Sequence, residues 1–254
     1  MNVTARPGFD DALAAARVIR GWLTDEQALV LWERAGALRP PATVVEIGSY
    51  HGRSTIVLAR SAAEGVAFVA IDPHAGNDRG PQEIHGTDAE GESDHRTFLA
   101  NLDRSGVTTA VRHVRLPSQD ALREVPGHVD LLFVDGAHRY GPARDDVARW
   151  GERVAPGGTM LVHDAFSSIG VTGALLAECV ARGGWRYAGR TGSLAEYERL
   201  AAPLRGRERA RDTARQLAQL PWFARNVLFK ALVLAGLRPV AHRLGLPAGM
   251  HWPY

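Results

Sequence analysis

Residues 44–54 read Val-Val-Glu-Ile-Gly-Ser-Tyr-His-Gly-Arg-Ser, and this stretch decides the fold class of the chain. Residues 44–47 are a short run rich in β-branched side chains, which predicts a strand, and residues 54–63 have the pattern of a helix. Between them, Gly48 and Gly52 allow the backbone to turn tightly and to approach a ligand without an intervening Cβ atom. The stretch therefore predicts a strand, a ligand-binding turn and a helix.

The same alternation continues along the chain, with helical stretches such as 142–154 between most of the strands. Six further strand-like runs, of which the last two form a predicted hairpin, lie at residues 67–71, 110–114, 131–134, 159–162, 185–189 and 194–199. Repeated strand–helix–strand units predict a mostly parallel sheet with helices on both faces. We therefore expect an α/β fold with seven strands and a closing antiparallel hairpin.

The composition excludes several classes of protein. Of the 254 residues, 45% are hydrophobic and 23% are charged, as in ordinary soluble globular domains. Cys179 is the only cysteine, so a disulfide framework is impossible, and its apolar neighbours indicate a core position. The first residues lack the pattern of a secretory signal, and no apolar run reaches the roughly 18 residues needed to cross a bilayer. We therefore expect a cytoplasmic protein.

Three regions are expected: a helical segment at residues 1–40, the sheet domain at 41–200 and a basic helical extension at 201–254. Within the sheet domain, residues 74–95 are polar and acidic, and a connection of that length is usually functional or disordered. We hypothesise that this segment is a lid loop that closes over substrate. The alternative is a solvated loop without contacts to the substrate.

The extension differs in charge from the rest of the chain. From Arg205 onward there are nine basic and two acidic residues, a formal charge of +7, which leaves −5 for the other residues out of the total of +2. The excess of arginine over lysine reflects a high-GC bacterial coding bias, so no nucleic-acid partner is expected. The apolar run 222–237 predicts either a peripheral contact with an anionic membrane or, more commonly, a packing or dimer helix. A homo-oligomer is also expected.

Asp72 ends the second predicted strand, where its carboxylate can accept hydrogen bonds from ribose hydroxyls. The glycine turn is not the dinucleotide fingerprint, because the third glycine of G-x-G-x-x-G is missing. The spacing E-x-G-x-x-x-G resembles motif I of class I S-adenosylmethionine-dependent methyltransferases, which have a Rossmann-like sheet. The alternative is a plain turn in an unrelated α/β fold.

The resemblance extends over about residues 20–200 and implies a role for each part of the motif. It implies that Glu46 lies near the methionine ammonium group, that Asp72 holds the ribose and that Ser118 contacts the adenine. A serine after a strand is also a common helix cap, which is the alternative for Ser118. The cofactor-binding residues that the resemblance implies are Glu46, Gly48, Ser49, Gly52, Ser54, Asp72, Ser118 and Asp135.

Two later strands end in acids and histidines. Residues 134–140 read Val-Asp-Gly-Ala-His-Arg-Tyr, and residues 161–165 read Leu-Val-His-Asp-Ala. The carboxyl ends of parallel strands share one rim of the sheet, so these side chains are expected near the glycine turn. Carboxylates suit a hard divalent cation such as Mg²⁺, which would bind two substrate oxygens and lower the pKa of the one to be methylated.

This second stretch resembles metal-dependent class I enzymes that methylate sugar hydroxyls in macrolide tailoring and in methylated-mannose polysaccharide synthesis. The resemblance implies Asp135, His163 and Asp164 as metal ligands and His138 as the general base, with Asp135 also in the catalytic set. At His163 the macrolide enzymes have an acid instead. His163 therefore either lies behind the ligands or indicates a softer ion such as Mn²⁺. A simple turn at Asp135 and helix capping by the acids are the alternatives.

The expected activity is O-methylation of a hydroxyl on a sugar, an oligosaccharide or a glycosylated natural product. A metal-dependent phenol or catechol O-methyltransferase is the alternative within the same cofactor class, although residues 74–95 contain no Trp or Phe on which a flat ring would stack. An NAD-linked oxidoreductase is disfavoured by the missing third glycine. A non-catalytic membrane-associated protein would have no use for the set of Asp135, His138 and Asp164.

Overall fold

The computed structural model describes residues 8–76 and 86–246, and a single seven-stranded sheet lies at its centre. The strands are β1 (Thr43–Ile47), β2 (Ala67–Ile71), β3 (Arg112–Val114), β4 (Val129–Val134), β5 (Val154–Val162), β6 (Trp185–Thr191) and β7 (Leu194–Arg199). Their order in the sheet is β3-β2-β1-β4-β5-β7-β6, with β1 to β5 parallel and β7 antiparallel to both of its neighbours. The predicted mostly parallel sheet with a closing antiparallel hairpin is therefore confirmed.

Helices cover both faces of this sheet, as the sequence predicts. Alternate residues of each strand point to opposite faces, so Val44 and Val45 of β1 belong to two separate hydrophobic clusters. The helices within the described residues are α1 (Phe9–Arg17), α2 (Asp25–Ala37), α3 (Arg53–Ser61), α4 (Asp88–Arg104), α5 (Ser118–Ala121), α6 (Tyr140–Asp145), α7 (Ile169–Leu175), α8 (Gly206–Leu217), α9 (Leu220–Leu234) and α10 (Arg238–Arg243). Single π-helical turns extend α6 through Asp146–Trp150 and α7 through Leu176–Val180.

The starts of helices α2 and α3 have well-defined caps. At the start of α2, Thr24 and Gln27 form a capping box, in which each side chain accepts a hydrogen bond from the backbone N–H of the other residue. At the start of α3, Gly52 is the N-cap in a left-handed conformation with φ of 89°. Glycine adopts this conformation without steric strain, so the chain turns directly from β1 into α3.

The structure differs from the sequence interpretation in three places. Strand β3 is shorter than predicted, because Thr108–Ala110 forms a 3-10 turn instead of extended chain. The helix predicted over 142–154 ends early, since Val154 already begins β5. The loop predicted at 74–95 is helical from Asp88, where Thr87 and Glu90 form a capping box that starts α4. Residues 77–85 of the predicted lid lie outside the described residues.

The C-terminal helices pack on the sheet domain. In α8, the buried Asp212 carboxylate accepts a hydrogen bond from the Tyr187 backbone N–H of β6 at 3.0 Å. In α9, Trp222 and Phe223 pack against the larger hydrophobic cluster, and the Arg190 guanidinium lies 3.8 Å from the Trp222 ring centre. None of the described helices combines the length and the apolar character required to span a bilayer.

Candidate active site

A cleft of about 430 Å³ opens at the carboxyl ends of β1, β2, β4 and β5. This volume lies within the usual range for small-molecule sites, and the place is the one where open parallel sheets bind ligands. The loops after these four strands and the residues that follow β3 line the cleft, as does the connection between α1 and α2. The candidate residues that line it are Gly48, Ser49, Ser54, Asp72, Ser118, Asp135, His138, His163 and Asp164.

Gly48 is required by the close packing of two neighbouring strand ends. Its φ is 86°, and a Cβ atom at this position would lie 2.1 Å from the backbone oxygen of Asp135. The Asp135 backbone N–H in turn donates to the Ile47 carbonyl at 2.8 Å. The glycine turn and the loop after β4 are thereby held together, which brings the predicted cofactor loop next to the predicted reaction residues.

Asp72 is held rigidly at the rim. Its two carboxylate oxygens accept hydrogen bonds from the backbone N–H groups of Tyr50 and His74, each at 2.8 Å. Each oxygen retains a further lone pair for a ligand hydroxyl. Nearby, the Ser49 hydroxyl is buried and has no hydrogen-bond partner among the described residues, so a ligand polar atom in the cleft is its available partner.

Glu46 does not line the cleft, in contrast to its predicted place beside the cofactor's ammonium group. It is fully buried behind the glycine turn, where it accepts hydrogen bonds from the hydroxyls of Ser54 at 2.5 Å and Thr55 at 2.6 Å. Burial raises its pKa to about 8, although these two hydrogen bonds oppose the shift. In this arrangement Glu46 fixes the first turn of α3, and Ser54 is bound to Glu46 while also bordering the cleft.

Asp146 was not predicted as a site residue, yet it lies at the far end of the cleft beside Ser118. The Ser118 hydroxyl donates to its carboxylate, and burial raises the pKa of Asp146 to about 7. A carboxylate here can accept a hydrogen bond from an exocyclic amine such as that of adenine. The signal for it in the sequence was weak, because Asp145-Asp146 looks like an ordinary exposed acidic pair on a helix.

Four predicted reaction residues do meet at the ends of β4 and β5. His138 Nε2 lies 2.7 Å from Asp164 Oδ2, and His163 Nδ1 lies 3.0 Å from Asp135 Oδ1. Burial disfavours the charged form of His138, but hydrogen bonding and the charge of Asp164 outweigh burial and raise its pKa. Two acids are therefore each paired with a histidine inside one cleft.

His163 lies behind this cluster. It is fully buried, and its Nε2 lies 3.3 Å from Oε1 of Gln27, the residue that also caps α2. Burial opposes its charged form, yet the carboxylates of Asp135 and Asp164 raise its pKa well above the ordinary value. Nδ1 faces the Asp135 carboxylate as an ion pair without hydrogen-bond geometry, and Nε2 faces Gln27, so His163 is placed to orient these side chains.

The structure therefore arranges a possible metal site differently from the predicted set of Asp135, His163 and Asp164. Within residues 8–76 and 86–246, the one group of acids and histidines with ligand atoms all within 4.8 Å of one another is Asp135, His138 and Asp164. Two carboxylates and one imidazole suit Mn²⁺ or a similar ion better than Mg²⁺, which prefers oxygen ligands alone. The donor chemistry thus fits a divalent cation.

Helix α9 supports the loop that contains Asp164, a contact that was not predicted. Asp164 and Phe166 have positive backbone φ values of 54° and 56°, which are unfavourable for residues other than glycine. The Lys230 Nζ donates to the Ser167 carbonyl at 2.8 Å, and the buried Asn226 amide donates to the Phe166 carbonyl at 3.3 Å. The one lysine in the sequence was a possible signal, but nothing in the sequence indicated its partner.

An aromatic surface borders the other side of the cleft. The Trp22 and Tyr50 ring centres are 5.7 Å apart, and Tyr50 stacks on His51 at 3.8 Å. His51 Nε2 lies 2.8 Å from an Asp94 carboxylate oxygen, which ties this surface to α4. The connection between α1 and α2, which was not predicted to belong to any site, therefore contributes to the ligand-binding space.

The comparisons with known proteins agree with this geometry. A family model described as a methyltransferase domain matches residues 45–165. The uncharacterised protein y4gI of Sinorhizobium fredii is 28% identical over 134 residues, which are 50% of this chain and only 13% of that protein. The structure of cofactor-bound Rv0187 from MTB is 23% identical, with a TM-score of 0.54 over 74% of this chain and 88% of that chain. The structure of the O-methyltransferase TomG of Streptomyces achromogenes is 20% identical, with a TM-score of 0.51 over 76% of this chain and 89% of that chain.

The family model falls on the part of the chain that forms the cleft, from β1 to the residues just after β5. The two solved structures are too distant in sequence to indicate more than the fold, and that fold is the same seven-stranded one. Over the residues that the family model matches, the sheet domain of this chain is therefore similar to a methyltransferase domain.

Proposed function

We propose that this chain is an O-methyltransferase that uses S-adenosylmethionine to methylate a hydroxyl of a sugar, an oligosaccharide or a glycosylated natural product. The observation that supports it best is the His138–Asp164 pair, with 2.7 Å between Nε2 and Oδ2, in the same cleft as the glycine turn and Asp72. A base beside the cofactor loop is what transfer of a methyl group to a neutral hydroxyl requires.

In the proposed reaction, the acceptor oxygen forms a bond to the methyl carbon as the bond from that carbon to the cofactor's sulfur breaks. The hydroxyl proton passes to His138, and the sulfur leaves as a neutral thioether. Asp164 orients the imidazole and stabilises its protonated form. Binding of both reactants in line within the cleft would supply much of the acceleration through positioning.

We further propose that Asp135 and Asp164 bind a divalent cation, with His163 and Gln27 behind them. When bound, such a cation would neutralise charge and orient two oxygens of the acceptor. His163 keeps Asp135 in place through the 3.0 Å contact between Nδ1 and Oδ1. His138, whose nitrogen is also within ligand range, is assigned the base role, since one nitrogen cannot bind a cation and accept a proton at once.

A phenol or catechol acceptor is the second candidate, and one observation favours it. Residues 74–95 contain no Trp or Phe, but the structure places Trp22 and Tyr50 on the cleft. Such a surface suits a flat aromatic ring, and it also suits the apolar face of a sugar. Sugar and phenol acceptors must therefore both be tested to decide the acceptor class.

The cofactor assignment is tested by calorimetric titration with S-adenosylhomocysteine. We expect binding to the wild type, a loss of at least tenfold in affinity for Asp72→Ala, and a loss of about tenfold for Asp146→Asn. The exposed acids Asp103 and Asp145 give matched controls, Asp103→Ala and Asp145→Asn, that should bind normally. Absence of binding to the wild type, or normal binding by Asp72→Ala, would overturn the assignment.

The reaction is tested by supplying sugars, glycosides and phenols to the protein with and without a chelator. We expect methylation of a hydroxyl acceptor that is lost on chelation, restored by Mn²⁺ or Mg²⁺, and nearly abolished by Asp135→Ala and His138→Ala. His138→Ala should still bind the cation, whereas Asp135→Ala should not. Activity that survives both chelation and Asp135→Ala would remove the cation from the mechanism, and loss of cation binding in His138→Ala would make His138 a ligand.

A further inference from the structure

Helices α9 and α10 expose an unusual number of large aliphatic side chains. Helix α9 is anchored on its inner side, where Trp222 and Phe223 pack on the sheet domain and Asn226 and Phe229 are buried. The outward-facing residues, with their exposed fractions, are Leu228 (50%), Leu234 (74%), Leu237 (47%), Val240 (39%) and Leu244 (57%). Single exposed leucines are common on soluble proteins, but five within one short segment indicate a binding surface. We name these five residues the aliphatic face.

The segment of sequence that contains the aliphatic face carries charges of one sign. From Thr213 to Tyr254 the sequence contains no Asp or Glu, and it contains Arg215, Arg225, Lys230, Arg238 and Arg243. The positive charge of this segment is therefore not balanced by acids of the same segment. A partner for this surface must be apolar where it meets the leucines and anionic where it meets the arginines.

We propose that the aliphatic face and its arginines bind the surface of a membrane that contains anionic lipids. In an interfacial helix, aliphatic side chains enter the boundary between headgroups and acyl chains while basic side chains contact lipid phosphates. Helix α9 has 15 residues, and none of the described helices meets the length and hydropathy needed for spanning. The segment therefore lies in the interface, with the sheet domain on the aqueous side.

A second copy of this chain is a poorer occupant of the same surface. Homodimers are most often two-fold symmetric, so the same patch of each copy meets itself. Such a contact would bring together the positive charges of Arg225, Arg238 and Arg243 of both copies, in segments that contain no acid from Thr213 onward. Like charges at an interface oppose association, whereas anionic headgroups are attracted by them.

The experiment is co-sedimentation of the full-length protein with two kinds of vesicle, phosphatidylcholine alone and an equimolar mixture with phosphatidylglycerol. We expect binding to the anionic vesicles at low ionic strength, little binding to the neutral ones, and weakening with added salt. Changing Arg225, Arg238 and Arg243 to Gln should weaken binding about a hundredfold. The triple variant Leu228→Gln, Leu234→Gln, Leu244→Gln should also lose binding, because burial of these side chains is required to hold the segment in the interface.

Matched controls change exposed residues elsewhere. The triple variant Val18→Gln, Leu29→Gln, Leu99→Gln alters three exposed aliphatic residues of the sheet side of the molecule and should bind vesicles as the wild type does. The thermal midpoint and the affinity for S-adenosylhomocysteine show that each variant is folded. The proposal is overturned if the folded wild type does not bind anionic vesicles, if the aliphatic variant binds them normally, or if light scattering shows a dimer that only the aliphatic variant disrupts.

Discussion

Buried carboxyl groups contribute to the pH dependence of stability, and Glu46 is the clearest case. Its folded pKa is about 8, because burial outweighs the hydrogen bonds from Ser54 and Thr55. In the unfolded chain the same group ionises near its ordinary pKa of about 4.5. Between these two values the unfolded state gives up a proton that the folded state keeps, so the free energy of unfolding falls as pH rises.

Glu46→Gln is therefore expected to raise the free energy of unfolding at pH 8, by at most about 5 kcal/mol, and to flatten its decline between pH 5 and pH 8. An amide keeps one acceptor and adds a donor for the two hydroxyls, so the packing is preserved. Urea unfolding at a series of pH values measures the effect, and the exposed Glu33→Gln is the control. Equal destabilisation by Glu46→Gln at every pH would contradict this prediction.

At the scale of elements, α9 and the loop after β5 act as one unit. Lys230 binds the Ser167 carbonyl, and the Ser167 hydroxyl donates to Asp164 Oδ1 at 3.1 Å. Burial lowers the pKa of Lys230, while the nearby charge of Asp164 opposes that shift. The helix thereby helps to hold Asp164, and hence His138, in position.

Lys230→Met is expected to lower kcat about tenfold with the acceptor found by screening, because small displacements of a reacting group are costly. Affinity for S-adenosylhomocysteine should stay within about twofold, since Lys230 lies away from the glycine turn. Steady-state kinetics and calorimetry separate the two effects, with the exposed Arg243→Met as the control. A parallel loss of cofactor affinity and kcat would indicate general destabilisation instead of positioning.

Most helices and strands were predictable from the sequence, and each deviation has an identifiable physical cause. Strands β1, β2 and β4 are short runs rich in apolar and β-branched residues, a pattern that predicts strands, and the Thr24–Gln27 capping box starts α2. Helix α4 was missed at its start because Asp88 to Asp94 is acidic and contains few apolar residues. Its helical state depends on the capping box at Thr87 and on contact with the loop after β2, which local pattern does not reveal.

At the scale of the whole molecule, the C-terminal helices and the sheet domain are expected to unfold together. Trp222 packs on the main hydrophobic cluster under Arg190, and Asp212 of α8 binds the backbone of β6. Trp222→Ala should lower the free energy of unfolding by about 2 kcal/mol and leave a single transition. Calorimetry with Trp22→Ala as the control measures this. A separate low-temperature transition in the variant would show that the helices fold independently.

The set of residues at the rim of the sheet was predictable from the sequence, whereas the contacts among these residues were not. Parallel strands must present their carboxyl ends at one edge, so the acids and histidines after β4 and β5 had to meet the glycine turn. Which acid pairs with which histidine depends on rotamers and on groups far away in sequence, such as Gln27 beside His163. For that reason the sequence predicted which residues form the site. It did not predict that Glu46 lies behind the glycine turn or that Asp146 lines the cleft beside Ser118.

The hydrogen bond between Lys230 and the Ser167 carbonyl also makes it possible to follow motion of α9 by chemical labelling. Lys230 is the only lysine side chain in the sequence, so an amine-reactive acylating dye has a single side-chain target in an otherwise arginine-rich protein. The hydrogen bond to the Ser167 carbonyl protects that amine, so it reacts faster when the contact between α9 and the loop after β5 opens. The acylation rate of this one amine therefore reports how often the loop after β5 separates from α9.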